Sequence, residues 1–135
     1  MASKNPAPRD VVQFYYKDKM RTGIIVTVDE EERIATVLYG TRTQREQVCI
    51  PLPAGRPSAN MIGLHSTTYF YPENSLHVDY DVCRMQGKRC PPGLIVELRS
   101  LLKLRLLENK PVHHYTQAEH AEALSADTSA SANLQ

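Results

Sequence analysis

The chain has 135 residues, a length that favours one compact domain over two independent cores. Hydrophobic residues make up 41% of the chain and charged residues 23%, which is typical of globular proteins and not of disordered or membrane-embedded ones. No apolar run reaches the roughly 18 residues that a membrane-spanning helix needs, and no apolar core of a secretory signal follows Lys4. We therefore expect a cytoplasmic protein with no membrane partner.

Charge and cysteine content narrow the choice of partners. The net charge of +1 is unevenly distributed, because residues 116–135 contain three acidic residues and no Lys or Arg. The preceding residues carry 16 basic and 12 acidic side chains, a surplus that permits an RNA partner but does not by itself indicate one. Cys49, Cys83 and Cys90 are odd in number and lack CxxC spacing, so we expect reduced thiols and neither a disulfide framework nor a zinc site.

The N-terminal part of the chain has the pattern of three successive strands. The first nine residues contain two prolines and are predicted to form a flexible arm. Residues 11–16 are rich in β-branched and aromatic side chains and predict a first strand, which ends at the turn residues 17–19. The acidic residues 29–32 then separate a second strand, 22–29, from a third, 33–39, so these two are expected to pair as a hairpin.

The C-terminal part changes from a β to a helical period. Three further short strands are predicted at residues 47–51, 67–71 and 75–78. The Pro, Gly and Ser content of residues 53–60 predicts a loop. After Gly87, apolar residues recur at three- and four-residue spacing, which predicts one amphipathic helix from Pro92 to about Asn109. The last twenty residues are rich in Ala and Ser and predict an unpacked tail.

Five or six short strands followed by a single helix define the predicted fold class. We expect a mainly β protein, with a small SH3-like curved sheet or barrel and one C-terminal α-helix packed across one opening. Residues 10–110 form this predicted domain, between a flexible arm at residues 1–9 and a flexible tail at residues 111–135.

Candidate binding residues lie at the outer ends of the predicted hairpin. Arg21 stands at the start of the second strand and Thr41 follows the third, so antiparallel pairing returns both to one edge of the sheet. A guanidinium at that edge can bind phosphate through two hydrogen bonds. The structural alternatives are a solvated basic turn for Arg21 and a hydrogen-bonded turn for Thr41. Neighbouring polar residues on these segments are candidates for substrate binding, namely Lys17, Lys19, Arg42, Thr43 and Gln44.

Other catalytic patterns are weak or absent. The sequence has no Walker loop, Rossmann glycine pattern, nucleophile elbow or HExxH motif, which disfavours nucleotide hydrolysis, hydride transfer, serine hydrolysis and zinc-protease chemistry. His65 and His77 lie in or beside predicted strands, where a hydrogen-bonded structural role is expected. His113, His114 and His120 fall in the predicted tail and lack a fourth ligand at fixed spacing, so we expect no metal site there.

The order of several segments resembles the MazF/PemK-like toxins of bacterial toxin–antitoxin systems. The segments are Asp10-Val11-Val12-Gln13-Phe14, Arg21-Thr22-Gly23-Ile24-Ile25-Val26, Val37-Leu38-Tyr39-Gly40-Thr41-Arg42-Thr43-Gln44, Leu64-His65-Ser66-Thr67-Thr68-Tyr69-Phe70 and the stretch from Gly87 to Lys103. The strongest element, Tyr-Gly-Thr-x-x-Gln, is similar to the family's Tyr-Gly-Thr-Ser-Gln loop with an insertion. The resemblance covers roughly residues 10–105.

The resemblance implies a CcdB/PemK-type SH3-like barrel, a homodimer, a small antitoxin partner and cleavage of single-stranded RNA without metal or cofactor. In the implied reaction a ribose 2′-hydroxyl attacks the adjacent phosphorus, which leaves a 2′,3′-cyclic phosphate and a 5′-hydroxyl. By this resemblance Arg21 takes the place of the family's catalytic Arg, and Thr41 donates a hydrogen bond to the phosphorane oxygens.

Two departures from the family pattern concern the implied site. Thr22 follows Arg21 where the family has Pro, and the inserted Arg42-Thr43 leaves Thr41 and Thr43 as alternative hydroxyl donors. A fold can persist after its activity is lost. The alternative function is therefore a non-catalytic SH3-like module, encoded by a phage or other mobile element, that binds a host protein or nucleic acid.

Overall fold

The computed structural model describes residues 5–133, which form a curved, mainly β sheet with helices packed against it, as expected for the fold class. The elements in chain order are β1 (Asp10–Tyr16), β2 (Lys19–Asp29), β3 (Ile34–Thr41), β4 (Ile50–Leu52), α1 (Pro57–Ile62), β5 (Thr68–Asp79), a 3₁₀ turn (Tyr80–Val82), β6 (Arg84–Arg89), α2 (Pro92–Leu107), β7 (His113–Tyr115) and α3 (Gln117–Asn133). The strands lie in the order β4-β5-β3-β2-β1-β6, and β7 pairs with β5.

Two antiparallel hairpins form the centre of the sheet. β1 and β2 are joined by Lys17 and Asp18, whose φ angles of +50° and +62° match the type I′ turn that suits the twist of a two-residue hairpin. β2 and β3 pair from Asp29 to Gly23, with a bulge between Ile25 and Thr27. The predicted hairpin of the second and third strands is therefore confirmed.

β5 is one bent strand where two short strands were expected. Between the pairs Leu38–Ser75 and Gly40–Phe70, the β5 strand advances five residues while β3 advances two. A bulge of this kind bends the strand and increases its twist. The first half of β5 pairs with β4 and the second half pairs with β7, while β3 pairs with both halves.

Each face of the sheet carries its own apolar layer, as strands covered on both faces require. The layer beneath α1 and α2 includes Ile24, Leu38, Ile62, Phe70 and Leu98. The layer on the opposite face includes Phe14, Ile25, Val37, Leu76 and Tyr115. Curvature therefore gives the molecule two packed layers and not one closed barrel interior.

The helices agree with the sequence at α2 and differ from it at α1. The predicted helix after Gly87 is confirmed as α2, which begins at Pro92. The loop prediction for residues 53–60 is wrong, since Pro57 occupies the first turn of α1 and Gly63, with φ of +85°, donates its N–H to the carbonyl of Ala59. No helix of the described residues is long and apolar enough to span a membrane.

The expectation of a flexible N-terminal arm does not hold for residues 6–9. Pro6 is buried, the backbone N–H of Arg9 donates to the carbonyl of Ile25 at 2.8 Å, and its Nε donates to the carbonyl of Cys90 at 2.9 Å. These bonds join the arm to β2 and to the segment that precedes α2. Residues 1–4 of the predicted arm lie outside the described residues.

The predicted unpacked tail contains β7 and α3, so that prediction is wrong for residues 113–126. Tyr115 is 3% exposed, and its hydroxyl donates to the carbonyl of Tyr15 at 2.6 Å. Thr116 caps α3 by accepting the N–H of Glu119 at 3.1 Å, which is the first half of a capping box. The last two residues of the chain lie outside the described part.

Candidate functional site

An open cleft of about 590 Å³ lies at the end of the sheet where β2 begins and β3 ends. The start of β2, the loop after β3 and the loop after α1 provide its walls. Three strong cations line it, namely Lys19, Arg21 and Arg42. Five hydroxyl side chains also line it, namely Thr22, Thr41, Thr43, Ser66 and Thr68. No Asp or Glu is among the described residues that line the cleft, so its electrostatic character favours an anion.

Strand pairing brings Arg21 and Thr41 to this cleft. The pairing of β2 with β3 ends at Gly23 and Tyr39. Arg21 and Thr41 each lie two residues beyond that last pair, at the same end of the hairpin. Both residues line the cleft, although no direct contact between them is present.

The Arg21 guanidinium is held by the turn between β1 and β2. Its Nε donates to the carbonyl of Tyr16 at 3.0 Å, its Nη2 donates to the carbonyl of Lys17 at 3.5 Å, and its Cζ lies 5.5 Å from the centre of the Tyr39 ring. Nη1 has no partner among the described residues. Arg21 therefore has both a structural role in the turn and donor capacity that remains available to a ligand.

The loop after β3 is anchored by Tyr71, which the sequence did not indicate as part of the site. Tyr71 is fully buried in β5; its hydroxyl donates to the carbonyl of Thr43 at 3.2 Å and accepts the N–H of Arg45. The hydroxyl of Thr41 accepts the N–H of Thr43 at 3.2 Å, which leaves its own proton free for donation. The available sequence signal was a tyrosine in a predicted strand, residues 67–71, since a tyrosine that becomes buried needs a partner for its hydroxyl.

The remaining predicted site residues divide into two groups. Lys19, Arg42 and Thr43 line the cleft together with Arg21 and Thr41. Lys17 and Gln44 are exposed and are not part of its lining, and the Lys17 ammonium lies 5.5 Å from the centre of the Tyr16 ring.

Thr22 occupies the position where the resembled family has Pro. It lines the cleft, and its hydroxyl accepts a long hydrogen bond of 3.5 Å from the side-chain amide of Gln13. Gln13 is a second lining residue that the sequence did not indicate. Thr22 thus contributes a polar group to the cleft wall.

His65 lines the cleft and does not have the structural role that was expected for it. It is exposed at the cleft and makes no hydrogen bond with a described residue, whereas a structural hydrogen bond was expected. His77 does have that role, with its Nδ1 2.8 Å from the hydroxyl of Thr36. No local pattern separates the two histidines, because only the placement of the loop after α1 carries His65 to the cleft.

Burial keeps two phenols, Tyr16 and Tyr39, and two thiols, Cys83 and Cys90, protonated near neutral pH. Burial raises the pKa of the Tyr16 and Tyr39 phenols above their usual value. Burial also raises the pKa of the Cys83 thiol to about 12 and that of Cys90 to about 11. All three cysteines are free, but the thiolate forms of these two are scarce.

Two of the three histidines in the C-terminal segment contact carboxylates of the same chain. His113 Nε2 lies 2.8 Å from the Glu119 carboxylate, and His114 Nε2 lies 2.6 Å from that of Asp79. The part of the chain that the structure describes contains no group of three or more His, Cys, Asp or Glu side chains that could hold a metal ion.

The comparisons with known proteins return no relative. No protein-family model matches the sequence, and a search of curated proteins finds no match. The functional argument therefore depends on the residues and the geometry of the cleft.

Proposed function

We propose that the protein is an endoribonuclease that cuts single-stranded RNA and leaves a 2′,3′-cyclic phosphate and a 5′-hydroxyl. The observation that carries this proposal is the lining of the cleft, which combines three strong cations with five hydroxyls and no described carboxylate. Cations and neutral donors without a competing carboxylate favour a phosphodiester ligand.

The proposed reaction is an attack of the ribose 2′-oxygen on the adjacent phosphorus. The O2′–P bond forms, the P–O5′ bond breaks, and one proton passes from the 2′-hydroxyl to the leaving 5′-oxygen. Arg21 neutralises the charge that develops on the phosphorane, and the Thr41 hydroxyl donates a hydrogen bond to one of its oxygens. Arg21 acts electrostatically because a guanidinium stays charged throughout the physiological range.

His65 is the proposed proton carrier. Among the lining residues it has the only side chain of a type that ordinarily gains and loses a proton near neutral pH. The imidazole accepts the 2′-hydroxyl proton as the O2′–P bond forms and returns it to the 5′-oxygen as the P–O5′ bond breaks. One residue thus serves both proton transfers of the reaction.

Thr41 is favoured over Thr43 as the hydroxyl donor. Thr41 is half-buried at the end of β3, and its hydroxyl is oriented by the hydrogen bond that it accepts from the Thr43 backbone. Thr43 is exposed, and the structure gives its side chain no such support. A pre-oriented donor stabilises a transition state better than one that must be ordered during the reaction.

The resemblance to MazF/PemK-like toxins extends the proposal to the cell. It supplies a cytoplasmic location, where mRNA is accessible, a homodimer, and a small antitoxin that covers the RNA-binding surface. These three statements depend on the resemblance and not on the geometry of the cleft.

The decisive experiment incubates the purified protein with a pool of single-stranded RNAs in the presence of EDTA and maps the new ends. We expect cleavage that survives chelation and leaves cyclic phosphates. Thr41→Ala should lower the rate roughly 10²–10³-fold, as for loss of one oxyanion donor, and Arg21→Ala should lower it at least as much. Melting curves of both variants separate loss of chemistry from loss of the turn that Arg21 supports.

The matched control is Arg33→Ala. Arg33 also lies over a tyrosine, with its Cζ 5.2 Å from the centre of the Tyr80 ring, but it does not line the cleft. We expect its removal to leave cleavage unchanged. Intact RNA after incubation with wild-type protein, or an Arg21→Ala variant as active as wild type, would refute the catalytic proposal and favour the non-catalytic interaction module.

A further inference from the structure

A basic edge strand continues one wall of the cleft. β6 carries Arg84, Lys88 and Arg89 and no acidic residue, and among the described strands it forms one end of the sheet. Building on the proposed function, we infer that β6 binds the phosphate backbone of single-stranded RNA outside the cleft, through Arg84 and Lys88. The substrate is then a polynucleotide that extends along the protein surface, and not an isolated dinucleotide unit.

Arg84 is placed beside the cleft by strand pairing. It lies directly opposite Gln13 of β1, and directly opposed residues of antiparallel strands share a face. Because Gln13 lines the cleft, Arg84 stands next to the cleft wall on the same face of the sheet. Arg84 is exposed, and its guanidinium has no carboxylate partner in the described residues.

Lys88 reaches the cleft at a second point. A Cβ atom on Gly63 would meet Lys88 Nζ first and would lie 3.2 Å from Lys88 Cδ and from Lys88 Cε, so the end of the Lys88 side chain, its ammonium included, lies over Gly63. Because Gly63 lines the cleft, the Lys88 ammonium is held beside the cleft wall. Like Arg84, Lys88 is exposed and forms no ion pair with any residue that the structure describes.

Arg89 is excluded from this surface by its own contacts. Its Nε lies 3.5 Å from the Asp10 carboxylate, which is 95% buried, and its Nη2 donates to the carbonyl of Pro8 at 2.9 Å. Arg89 therefore fastens the N-terminal segment to β6. The cations that remain available to a ligand on this strand are Arg84 and Lys88.

The spacing of the two cations suits a nucleic-acid backbone. Between Met85 and Arg89 the β6 strand advances four residues while β1 advances two, so Arg84 and Lys88 lie closer together than the roughly 13 Å that four extended residues span. The two side chains can therefore contact neighbouring phosphates of one strand. Proteins that bind single strands without reading sequence commonly use a basic groove of this kind to follow the backbone. An acidic polypeptide is the competing ligand for this surface, and the experiment distinguishes it from RNA.

The test measures binding of a fluorescein-labelled 2′-O-methyl uridine octamer, which lacks the attacking hydroxyl and stays intact, at a series of KCl concentrations. Arg84→Gln/Lys88→Gln is compared with Arg99→Gln/Lys103→Gln, which removes two exposed cations of α2 that do not line the cleft. Loss of two phosphate contacts should lower the salt slope of log K by about 1.4 and weaken octamer binding on the order of 10-fold at moderate salt. The α2 variant should keep the wild-type slope.

The matching dinucleotide locates the effect. Because it is too short to leave the cleft, its affinity should change less than about twofold in the β6 variant. The loss of a phosphate contact inside the cleft would change its affinity by more than that. Melting curves confirm that both double variants fold. An unchanged octamer slope in the β6 variant, or an equal loss in the α2 variant, would overturn the inference. So would binding of polyglutamate that disappears in the β6 variant while octamer binding persists, since that result assigns the strand to an acidic polypeptide.

Failure of this inference and failure of the proposed function give different results. A wild-type protein that binds the octamer with the expected slope but cuts no RNA refutes the nuclease activity and does not refute RNA binding by β6. A protein that cuts RNA with an unchanged slope in the β6 variant refutes the surface alone. A wild-type protein that neither binds the octamer nor cuts the RNA pool refutes both.

Discussion

At the scale of single residues, the cleft joins a fixed electrostatic group with a residue suited to proton transfer. Arg21 is immobilised by two backbone carbonyls and a tyrosine ring, which suits charge stabilisation, because a pre-oriented group needs no reorganisation during the reaction. His65 is exposed and has no hydrogen-bond partner among the described residues, which suits a group that must gain and lose a proton. The two roles are therefore divided between a strand and a loop.

The role of His65 predicts a loss of cleavage that added imidazole partly restores. His65→Gln should reduce the rate roughly 10²–10⁴-fold, because the 2′-hydroxyl proton loses its acceptor, and added imidazole should restore part of the rate. The measurement is kcat/KM on a single labelled RNA, with and without imidazole.

A histidine outside the cleft provides the control for this prediction. His113 is exposed and paired with Glu119, and His113→Gln should leave the rate as in wild type and unaffected by imidazole. If His65→Gln keeps the wild-type rate, the proton passes through another group, and the proposed role of His65 is wrong.

Only part of the cleft could be predicted from the sequence. Arg21 and Thr41 could be paired in advance, because a hairpin register relates residues 20 positions apart by a simple antiparallel rule. Gln13 and His65 could not be placed in advance, since Gln13 reaches the cleft from β1 and His65 from the loop after α1. That arrangement depends on where the helix packs, which no local pattern specifies.

At the scale of secondary-structure elements, the C-terminal segment is part of the fold. β7 extends the second half of β5 as a parallel strand, and Tyr115 closes the apolar layer that contains Phe14 and Tyr16. Arg105 of α2 fixes the connection by donating to the carbonyls of Glu73 and Pro111. The segment thus covers a sheet face that would otherwise expose aromatic side chains.

Removal of the Tyr115 side chain is expected to destabilise the protein strongly. Tyr115→Ala empties a large buried site and should lower the free energy of unfolding by about 3–5 kcal/mol. Tyr115→Phe loses only the hydrogen bond to Tyr15 and should cost about 1 kcal/mol. Urea denaturation of the three proteins measures both differences.

The neighbouring strand position and a truncation test the same prediction. His113→Ala, at an exposed position of the same strand, should change stability by less than about 1 kcal/mol. A chain that ends at residue 110 should melt well below the full chain. Equal melting temperatures for that truncation and the full chain would show that β7 and α3 contribute nothing to stability.

The prediction of an unpacked tail is wrong because the composition of the segment favours disorder while its capping residues favour a helix. An Ala- and Ser-rich segment with few large apolar residues lacks the area to repay the entropy of ordering. Thr116 and Glu119, however, have the spacing of a capping box, and Tyr115 precedes them as an apolar anchor. Three contacts hold the start of the helix: the buried Tyr115 ring, the Thr116 cap and the Asp79 carboxylate, which accepts the Gln117 N–H at 2.9 Å.

At the scale of the whole molecule, stability should depend on pH through His77. Burial lowers the pKa of His77, with further lowering by the charges of His114 and Arg105. The folded state therefore favours the neutral imidazole, so stability is fully present above the unfolded pKa of about 6.5 and falls as pH decreases toward the folded value. We expect the urea midpoint of the wild type to decrease on going from about pH 7 to pH 5.

His77→Asn tests this dependence while it retains a group that can bind the Thr36 hydroxyl. Its midpoint should vary less over the same pH range than that of wild type. Burial also lowers the pKa of His120, so His120→Gln measures the second contribution of the same sign. A His77→Asn variant with the full wild-type pH dependence would mean that other groups cause the acid loss of stability.

The sequence by itself determined part of the local structure of this protein. Alternating and aromatic residues specified β1, β2 and β3, the Lys17-Asp18 turn lies where the strands reverse, and the period of the leucines specified α2. Each of these depends on interactions between residues close in the chain or related by one hairpin, where propensity and periodicity act directly.

The tertiary structure alone decided which of these elements meet. The bend in β5, the helix at residues 57–62 and the insertion of Tyr115 under β1 depend on partners far away in the chain; the Tyr115 hydroxyl binds a carbonyl 100 residues earlier. The entropy of closing such loops is offset only when the complete apolar layers form. The cleft inherits this dependence, because its walls come from segments that acquire their positions only after both layers have packed.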